Sequence, residues 1–319
     1  MSVLTFRGGT HPYDGKALSR DAAIEEIKPG EELVFPLSQH IGAPAVPIVE
    51  IGERVLAGQK IAAKSGFISA NIHSSVSGTV IKIEPRTIAT GGKVNSIIIR
   101  NDNLYEQAPP INDKNPDDMT DDEIRTVIEE AGIVGMGGAG FPTNVKLTPK
   151  NPEVIDTIIV NGAECEPYLT SDYRRMLEYT DELVKGLKIV LRLFPGARGV
   201  FGVEDNKPEA IKALKKATSG ENNIEVAVLK TKYPQGGERC MIKAVTGREI
   251  NSKMLPADAG CIVHNIDTIA SIYQAVYEGR PLTRRIVTVT GDAVNSTHNY
   301  YVYLGTNMRV LIDAAGGFK

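Results

Sequence analysis

IDTIIV (residues 155–160), RGVFGVE (198–204) and IEVAVLK (224–230) are three short runs rich in Val and Ile, the pattern of strands buried on both faces. Between the first two, Met176, Leu183, Leu187, Val190, Leu191 and Phe194 recur at helical spacing. Between the last two, Asn206 can cap a helix that has Pro208 near its start and Ile211 and Leu214 on its buried face. Strand, helix, strand, helix, strand with connections of this length reads as right-handed parallel crossovers. The middle of the chain is therefore expected to be a small, Rossmann-like doubly wound α/β domain. In such a sheet, ligands bind beyond the carboxyl ends of the strands.

The unusual residues do follow the strands. NGAECEPYLTSD (161–172) comes after the first, Glu204 and Asp205 end the second, and TKYPQGGER (231–239) follows the third. Glu164 and Glu166 lie two apart, so continued extension would point both to one side. There they can accept hydrogen bonds from ribose hydroxyls or a ring N–H; the alternative is two solvated loop acids. Cys165 between them reads as a small buried filler, with no His nearby in sequence to activate it. Upstream, GMGGAG (135–140) fits GxGxxG through Gly135, Gly137 and Gly140. The short amphipathic helix DEIRTVIEEAG precedes it rather than a strand, so it is not the standard dinucleotide turn. It is either a structural turn or a loop that lets a planar ring or phosphate approach backbone N–H groups, with Lys146 supplying positive charge downstream.

Around this core, the stretch from Glu32 to Arg100 reads as β-structure: LVFPL, PIVEIGERVLAGQKIAAK, SGTVIKIE and VNSIIIR are extended runs separated by turn residues. Part of it resembles the barrel-sandwich fold of biotinyl and lipoyl carrier domains, with Gly52, Gly58 and Gly78 at tight turns and Lys64 the one lysine not excluded as a carrier site. The polar segment 101–122 marks a boundary. After helical patterns in ERCMIKAVTG (238–247) and NIDTIASIYQAVYEG (265–279), residues 284–319 return to β character and then a short helix stopped by Gly316 and Gly317. That last unit has too little chain for its own core and is expected to be cut short. Three units are thus expected, over 1–112, 118–283 and 284–319.

The 319 residues are 42% hydrophobic and 24% charged with a net charge of −3, ordinary for a globular protein and without a field that draws nucleic acid. Three cysteines without a CxxC pair show neither a disulfide framework nor a cluster site, and the compartment is expected to be reducing. The five histidines show no metal-ligand spacing, and neither a nucleophile elbow nor a Walker lysine motif is present. The opening MSVLTFRGGTHPYDGK lacks an apolar signal region, and no apolar run approaches the roughly 18 to 20 residues of a membrane span. Membrane contact is expected to go through a partner. What remains is a crevice lined with glycines and carboxylates, suited to a cofactor that does its own chemistry.

GMGGAGFPTNVK (135–146), NGAECEPYLTSDYRRM (161–176), YPQGGER (233–239) and VHNIDT (263–268), in this order and spacing, resemble RnfC, the peripheral NADH-oxidising subunit of the Rnf ion-translocating complex. They are more distantly similar to the flavin-binding subunit of respiratory complex I. GGTHPYDGK (8–16), the segment 36–61 and SANIHSSVSGTV (69–80) match RnfC alone. The resemblance implies that Gly135, Gly137 and Lys146 form an FMN-cradling loop and that a nicotinamide or adenine ring stacks on Phe141. It implies flavin contacts from Asn161, Glu164 and Asn265, a carboxylate near the nucleotide from Glu166, and a second flavin and NADH loop from Tyr233, Gly236 and Glu238. Ala163 and Gly237 stand where the complex I subunit has acids, His264 where it has asparagine, and SKMLPADAG (252–260) lacks an expected phenylalanine beside Lys253. The family also carries two 4Fe-4S clusters on CxxCxxCxxxCP runs, whose ligands are absent from this sequence, and YLGTNMRVLIDAAGGFK (303–319) resembles the opening of its β-grasp (SLBB) unit. The implied function is an electron-transfer subunit, enzymatically an NADH dehydrogenase or ferredoxin–NAD+ oxidoreductase component, working with FMN and NAD(H). Its partners would be other Rnf subunits and, indirectly, ferredoxin, on the cytoplasmic face of the membrane. A soluble relative such as a cobalamin reductase, a docking subunit that has lost its flavin, and a carrier protein are the alternatives.

Overall fold

The computed structural model describes residues 3–319; Met1 and Ser2, the start of the expected first unit, lie outside the described residues. After β1 (Ile24–Glu26), the N-terminal half contains β2 (Glu32–Pro36), β3 (Val46–Pro47), β4 (Arg54–Val55), β5 (Lys60–Ala63), β6 (Ile72–His73), β7 (Gly78–Thr87) and β8 (Lys93–Asn101). They form two antiparallel sheets in the orders β2-β8-β7-β4 and β3-β5-β6. Alternation in β2 turns Leu33 and Phe35 inward against Val55, Ile61, Ile97 and Ile99. Gly78 is required at the start of β7, because a Cβ there would lie 2.1 Å from the carbonyl oxygen of Arg100.

Thr120 and Glu123 form a capping box that starts α1 (Asp121–Glu130), whose inner face is Ile124, Val127 and Ile128. Then come α2 (Thr143–Lys146), β9 (Thr157–Gly162), α3 (Ser171–Glu178), α4 (Thr180–Arg192), β10 (Arg198–Glu204), α5 (Pro208–Ala217), β11 (Ile224–Leu229), α6 (Glu238–Thr246), β12 (Cys261–Asn265) and α7 (Ile266–Glu278). The four strands are parallel in the order β11-β10-β9-β12. Side chains alternate as expected for a two-faced sheet: Ile158 and Val160 join the core beneath α4 and α7, whereas Ile159 joins the smaller core beneath α6.

Three local features differ from the sequence reading. The helical run from Met176 to Phe194 is two helices broken at Tyr179, whose φ of −131° and ψ of 35° leave the helical region. Asn206 does not cap α5; Lys207 occupies that position and Asn206 Oδ1 instead accepts a hydrogen bond from its Nζ at 3.0 Å. The third difference matters for function. CIVHN forms a fourth strand on the far side of β9, so the chain builds outward through β10 and β11 and then returns across β9 to β12. That reversal makes the gap between the ends of β9 and β12 the topological switch point of the sheet, where open α/β folds bind ligands.

The C-terminal stretch has β13 (Arg284–Val289), β14 (His298–Tyr303) and α8 (Met308–Ala314), with left-handed Gly316 and Gly317 just beyond the helix. β1 adds to this sheet by pairing parallel to β14, so residues 24–26 pack with the end of the chain rather than with β2–β8. Buried Asn299 fixes the junction: its amide nitrogen donates to the carbonyls of Ser19 and Ala22 at 3.0 and 3.1 Å, while its oxygen accepts from Thr170 and Thr288 at 3.0 and 2.8 Å. Among the described residues, no helix is long and apolar enough to cross a membrane.

Candidate functional site

Asn161, next to last in β9, and Asn265, the last residue of β12, lie side by side in register at the switch point. Asn161 Nδ2 donates to the carbonyl of Gly236 at 2.7 Å, which draws the YPQGGER loop to the end of β9. Asn265 caps α7 by accepting from the Asp267 amide at 2.8 Å, and its Nδ2 donates to Asp172 Oδ2 at 2.7 Å. The glycine loop closes on itself through Gly135 N–H to the Phe141 carbonyl at 2.8 Å and is anchored to α7 by Met136 N–H to Thr268 Oγ1 at 3.1 Å. It lies directly over Asn265: a Cβ on Gly137 would sit 3.0 Å from that side chain. Lys146, at the end of α2, donates to the Val263 carbonyl at 2.7 Å and pairs with Glu238 at 2.8 Å. Glycine loop, both asparagines, the lysine and the Tyr233–Glu238 loop therefore meet at one place.

The acidic loop behaves differently from its sequence reading. Glu164 adopts a left-handed φ of 49°, which ends the extended run, so Glu164 and Glu166 do not share a side. Glu166 is exposed. Glu164 is buried, and its Oε1 accepts from the Asp172 and Tyr173 amides at 2.7 and 3.4 Å, capping α3. Burial pushes the Glu164 carboxyl up, with Lys207 and Lys16 opposing that shift. Asp172, which nothing in the sequence singled out, is pushed up to about 8 by burial and by the charges of Glu164 and Asp267, so at neutral pH its carboxyl holds a proton. Burial also pushes the Cys165 thiol up to about 11, which leaves it an unreactive filler whose Sγ accepts from the Gly236 amide at 3.2 Å.

The opening residues, assigned by sequence to the first unit, run along this end of the sheet. Leu4 pairs with β11, Thr10 and Tyr233 exchange two backbone hydrogen bonds of 2.8 Å, and Asp14 accepts from the Tyr168 amide at 2.6 Å. No local pattern announces these contacts, because the partners are more than 150 residues away. A cavity of about 340 Å³ borders the glycine loop, lined by Gln39, His40, Gly135, Met136, Leu282 and Arg285 among others. Of the predicted site residues it touches Gly135 alone, so the asparagines and the acidic loop sit outside it.

Two family models match: "RnfC Barrel sandwich hybrid domain" over residues 4–104 and "Nuo51 FMN-binding domain" over residues 128–274. The C component of the proton-translocating ferredoxin:NAD(+) oxidoreductase complex of Clostridium ljungdahlii is 44% identical over 99% of this chain and 69% of its own length. Its counterpart from the Na(+)-translocating complex of Acetobacterium woodii is 43% identical over 99% and 71%. The chain belongs to the RnfC family. The family also includes the C component of the ion-translocating oxidoreductase complex of Pseudomonas aeruginosa, 40% identical, of whose length this chain spans 41%. Among solved structures, the NAD+-reducing nickel–iron hydrogenase in its air-oxidised state aligns with a TM-score of 0.54 at 23% identity, over 61% of this chain and 39% of that one, a likeness of fold.

All eleven predicted site residues, from Gly135 to Asn265, fall inside the matched FMN-binding domain. The residues present suit such a group. Among the described residues, buried polar atoms without a hydrogen-bond partner occur on the segments that form the crevice: Thr143 Oγ1 just after the glycine loop, both amide atoms of Gln235 in the YPQGGER loop, and His264 Nε2 in β12. Burial, helped by the Lys146 charge, lowers the His264 pKa to about 3, so its ring is neutral and available for hydrogen bonding. Two RnfC departures from the complex I pattern have a structural meaning. Ala163 is fully buried, with its carbonyl accepting from Lys207 Nζ at 2.6 Å, and Gly237 is the residue from which α6 starts. Lys253 stands exposed in the turn before Leu255.

Proposed function

We propose that this RnfC-family chain is the electron-transfer subunit of an ion-translocating ferredoxin:NAD+ oxidoreductase complex, holding FMN and NAD(H) in the crevice at the switch point. The observation that carries the reading is the meeting of the glycine loop, Asn161, Asn265 and the Lys146–Glu238 pair at the end of β9 and β12. When bound, FMN accepts two electrons from a nicotinamide and releases them singly. The chain's part is to bind, orient and exclude water. Gly137 admits a flat ring close to backbone N–H groups, Asn161 and Asn265 offer amide donors and acceptors, and Lys146 supplies a fixed positive charge. Phe141 would offer a face for a stacked ring, Tyr233, Gly236 and Glu238 would contribute the second loop against flavin and NADH, and exposed Glu166 would accept from a ribose hydroxyl. Glu164 acts from behind this surface, through α3. No side chain needs to serve as general base.

Under this reading the divisions 1–112, 118–283 and 284–319 correspond to the barrel-sandwich hybrid, the flavin domain and an SLBB-like unit, except that residues 4–14 pack on the flavin domain and 24–26 on the C-terminal sheet. 4Fe-4S clusters elsewhere in the complex would take the electrons onward, with ferredoxin reached indirectly, and the protein would sit peripherally on the cytoplasmic face of the membrane. Titrating the purified chain with FMN and following quenching of flavin fluorescence tests the reading. Saturable one-to-one binding that is lost in Gly137→Val and weakened in Asn161→Ala is expected; no binding by the wild type, or equal binding by all three, overturns it.

A further inference from the structure

We infer that Lys16 is a positioning residue for the nucleotide-facing acidic loop, acting from the opposite end of the sequence; the inference rests on the flavin and NAD(H) reading above. Lys16 is 7% exposed. Its Nζ donates to the carbonyls of Glu166 at 3.0 Å and Leu169 at 2.5 Å, and lies 3.8 Å from Glu164 Oε2. Residues 163–170 contain no helix or strand, so side-chain and strap contacts hold the loop's path: those of Lys16 from inside, with Lys207 on the Ala163 carbonyl, the Tyr168 amide on the Asp14 carbonyl and Thr170 on Asn299 around it.

That path is one the loop would not choose alone. Glu164 and Tyr168 both have positive φ, 49° and 69°, a region that side-chain-bearing residues occupy only when their surroundings impose it. Lys16 holds it from inside, where the Glu166 and Leu169 carbonyls converge on its ammonium, while the neighbouring Asp14 carbonyl accepts from the Tyr168 amide at 2.6 Å. The strap around Lys16 adds shape: Gly15 packs so close to Tyr168 that a Cβ would lie 2.4 Å from the ring, and Ser19 Oγ meets Thr170 Oγ1 at 2.8 Å.

The consequence reaches the crevice by a short route. Lys16 steadies the Glu164 carboxylate, whose other oxygen caps α3 at Asp172 and Tyr173. Asp172 in turn bonds Asn265, the residue under the glycine loop. Glu204 and Lys207 face the same buried cluster; Lys207 Nζ lies 3.5 Å from Glu204 and bonds the Ala163 carbonyl, so it holds the start of the loop while Lys16 holds its end. Removing the Lys16 ammonium leaves two inward-facing carbonyls and half of a buried ion pair, which is costly because the remaining charge stays desolvated.

The test uses the full chain with Lys16→Met, Lys16→Arg, Glu164→Gln and the Lys16→Met/Glu164→Gln double variant. Two readouts are taken: amide hydrogen exchange of residues 163–173 without flavin, and KM and kcat for NADH oxidation by the FMN-loaded chain with ferricyanide as acceptor. Lys16→Met is expected to speed exchange at Asp172 and Tyr173 and to raise KM, each by about tenfold or more, with kcat within about twofold. Lys16→Arg should restore most of both. Glu164→Gln, nearly isosteric, should shift both in the same direction by less, and the double variant should fall short of the product of the singles, as coupled residues do. Wild-type exchange and KM in Lys16→Met, or Lys16→Arg no better than Lys16→Met, overturns the inference. Should Lys16→Met fail to fold, wild-type behaviour of Glu164→Gln in both readouts overturns it. A wild type that holds no FMN brings down the functional reading and this inference together, whereas a wild type that holds FMN beside unaffected variants removes only the role of Lys16.

Discussion

Replacing Gly137 by Ala puts a single methyl group against Asn265, with contacts of 3.0 Å to Cβ and Nδ2 and 3.2 Å to Cγ. The backbone there is not left-handed, so the conflict is one of space. Asn265 cannot yield freely, because one end of its amide caps α7 at 2.8 Å and the other bonds Asp172 at 2.7 Å. Turning it aside forfeits a helix cap worth about 1 kcal/mol and a side-chain hydrogen bond worth about 1 kcal/mol, offset by roughly 0.5 kcal/mol for a less flexible unfolded chain. The alternative is that the exposed loop lifts by a few tenths of an ångström, which costs little stability. Both responses deform the surface on which the flavin is to lie. The expected outcome is a dissociation constant for FMN raised about tenfold, near 1.4 kcal/mol, with the melting temperature lowered by no more than about 5 °C. Fluorescence titration and a thermal melt on the same preparation measure both. Unchanged FMN affinity in Gly137→Ala would refute the placement of the ring against this loop.

Lys146→Met removes an ion pair whose partners are about one-third exposed, so stability should change by less than about 1 kcal/mol, while FMN affinity falls by tenfold or more because the crevice loses its cation; equal affinity in a titration would count against that role. Asp172 makes stability depend on pH. Its folded-state pKa of about 8 lies above its ordinary value of 3.8, so the folded state holds the extra proton and stability falls as pH rises from about 4 to about 8, by about 1 kcal/mol per pH unit. Denaturant titrations of the wild type and Asp172→Asn across that window should show the slope in the first and lose it in the second; parallel curves would sink the assignment. Gly186→Ala should destabilise by about 2 kcal/mol or more, although alanine favours helix, because its Cβ would lie 2.4 Å from the Ile269 carbonyl where α4 meets α7; a melting curve at or above wild type would show that the two helices part without cost.

How legible this was in the sequence follows from how local each feature is. The three Val- and Ile-rich strands and the helix faces were readable because burial on a parallel sheet leaves a continuous apolar signature. β12 was not, since it has five residues including Cys261 and His264 and runs directly into α7. With it went the switch point, which depends on strand order and has no local sign. The glycine loop, Lys146, Asn161, Tyr233, Glu238 and Asn265 were legible through their motifs, and the fold brings them together. The paired reading of Glu164 and Glu166 failed at a single left-handed residue. Lys16, Asp172 and Asn299 stayed hidden because their partners are brought close only by the tertiary fold, in the case of Lys16 and Glu166 across 150 residues.

The most direct measurement of the central claim is an anaerobic titration of the FMN-loaded chain with NADH, following the visible absorption of the flavin. Stoichiometric bleaching, one NADH for each flavin held, is the result this account predicts. Flavin that stays bound and oxidised in the presence of excess NADH would contradict it.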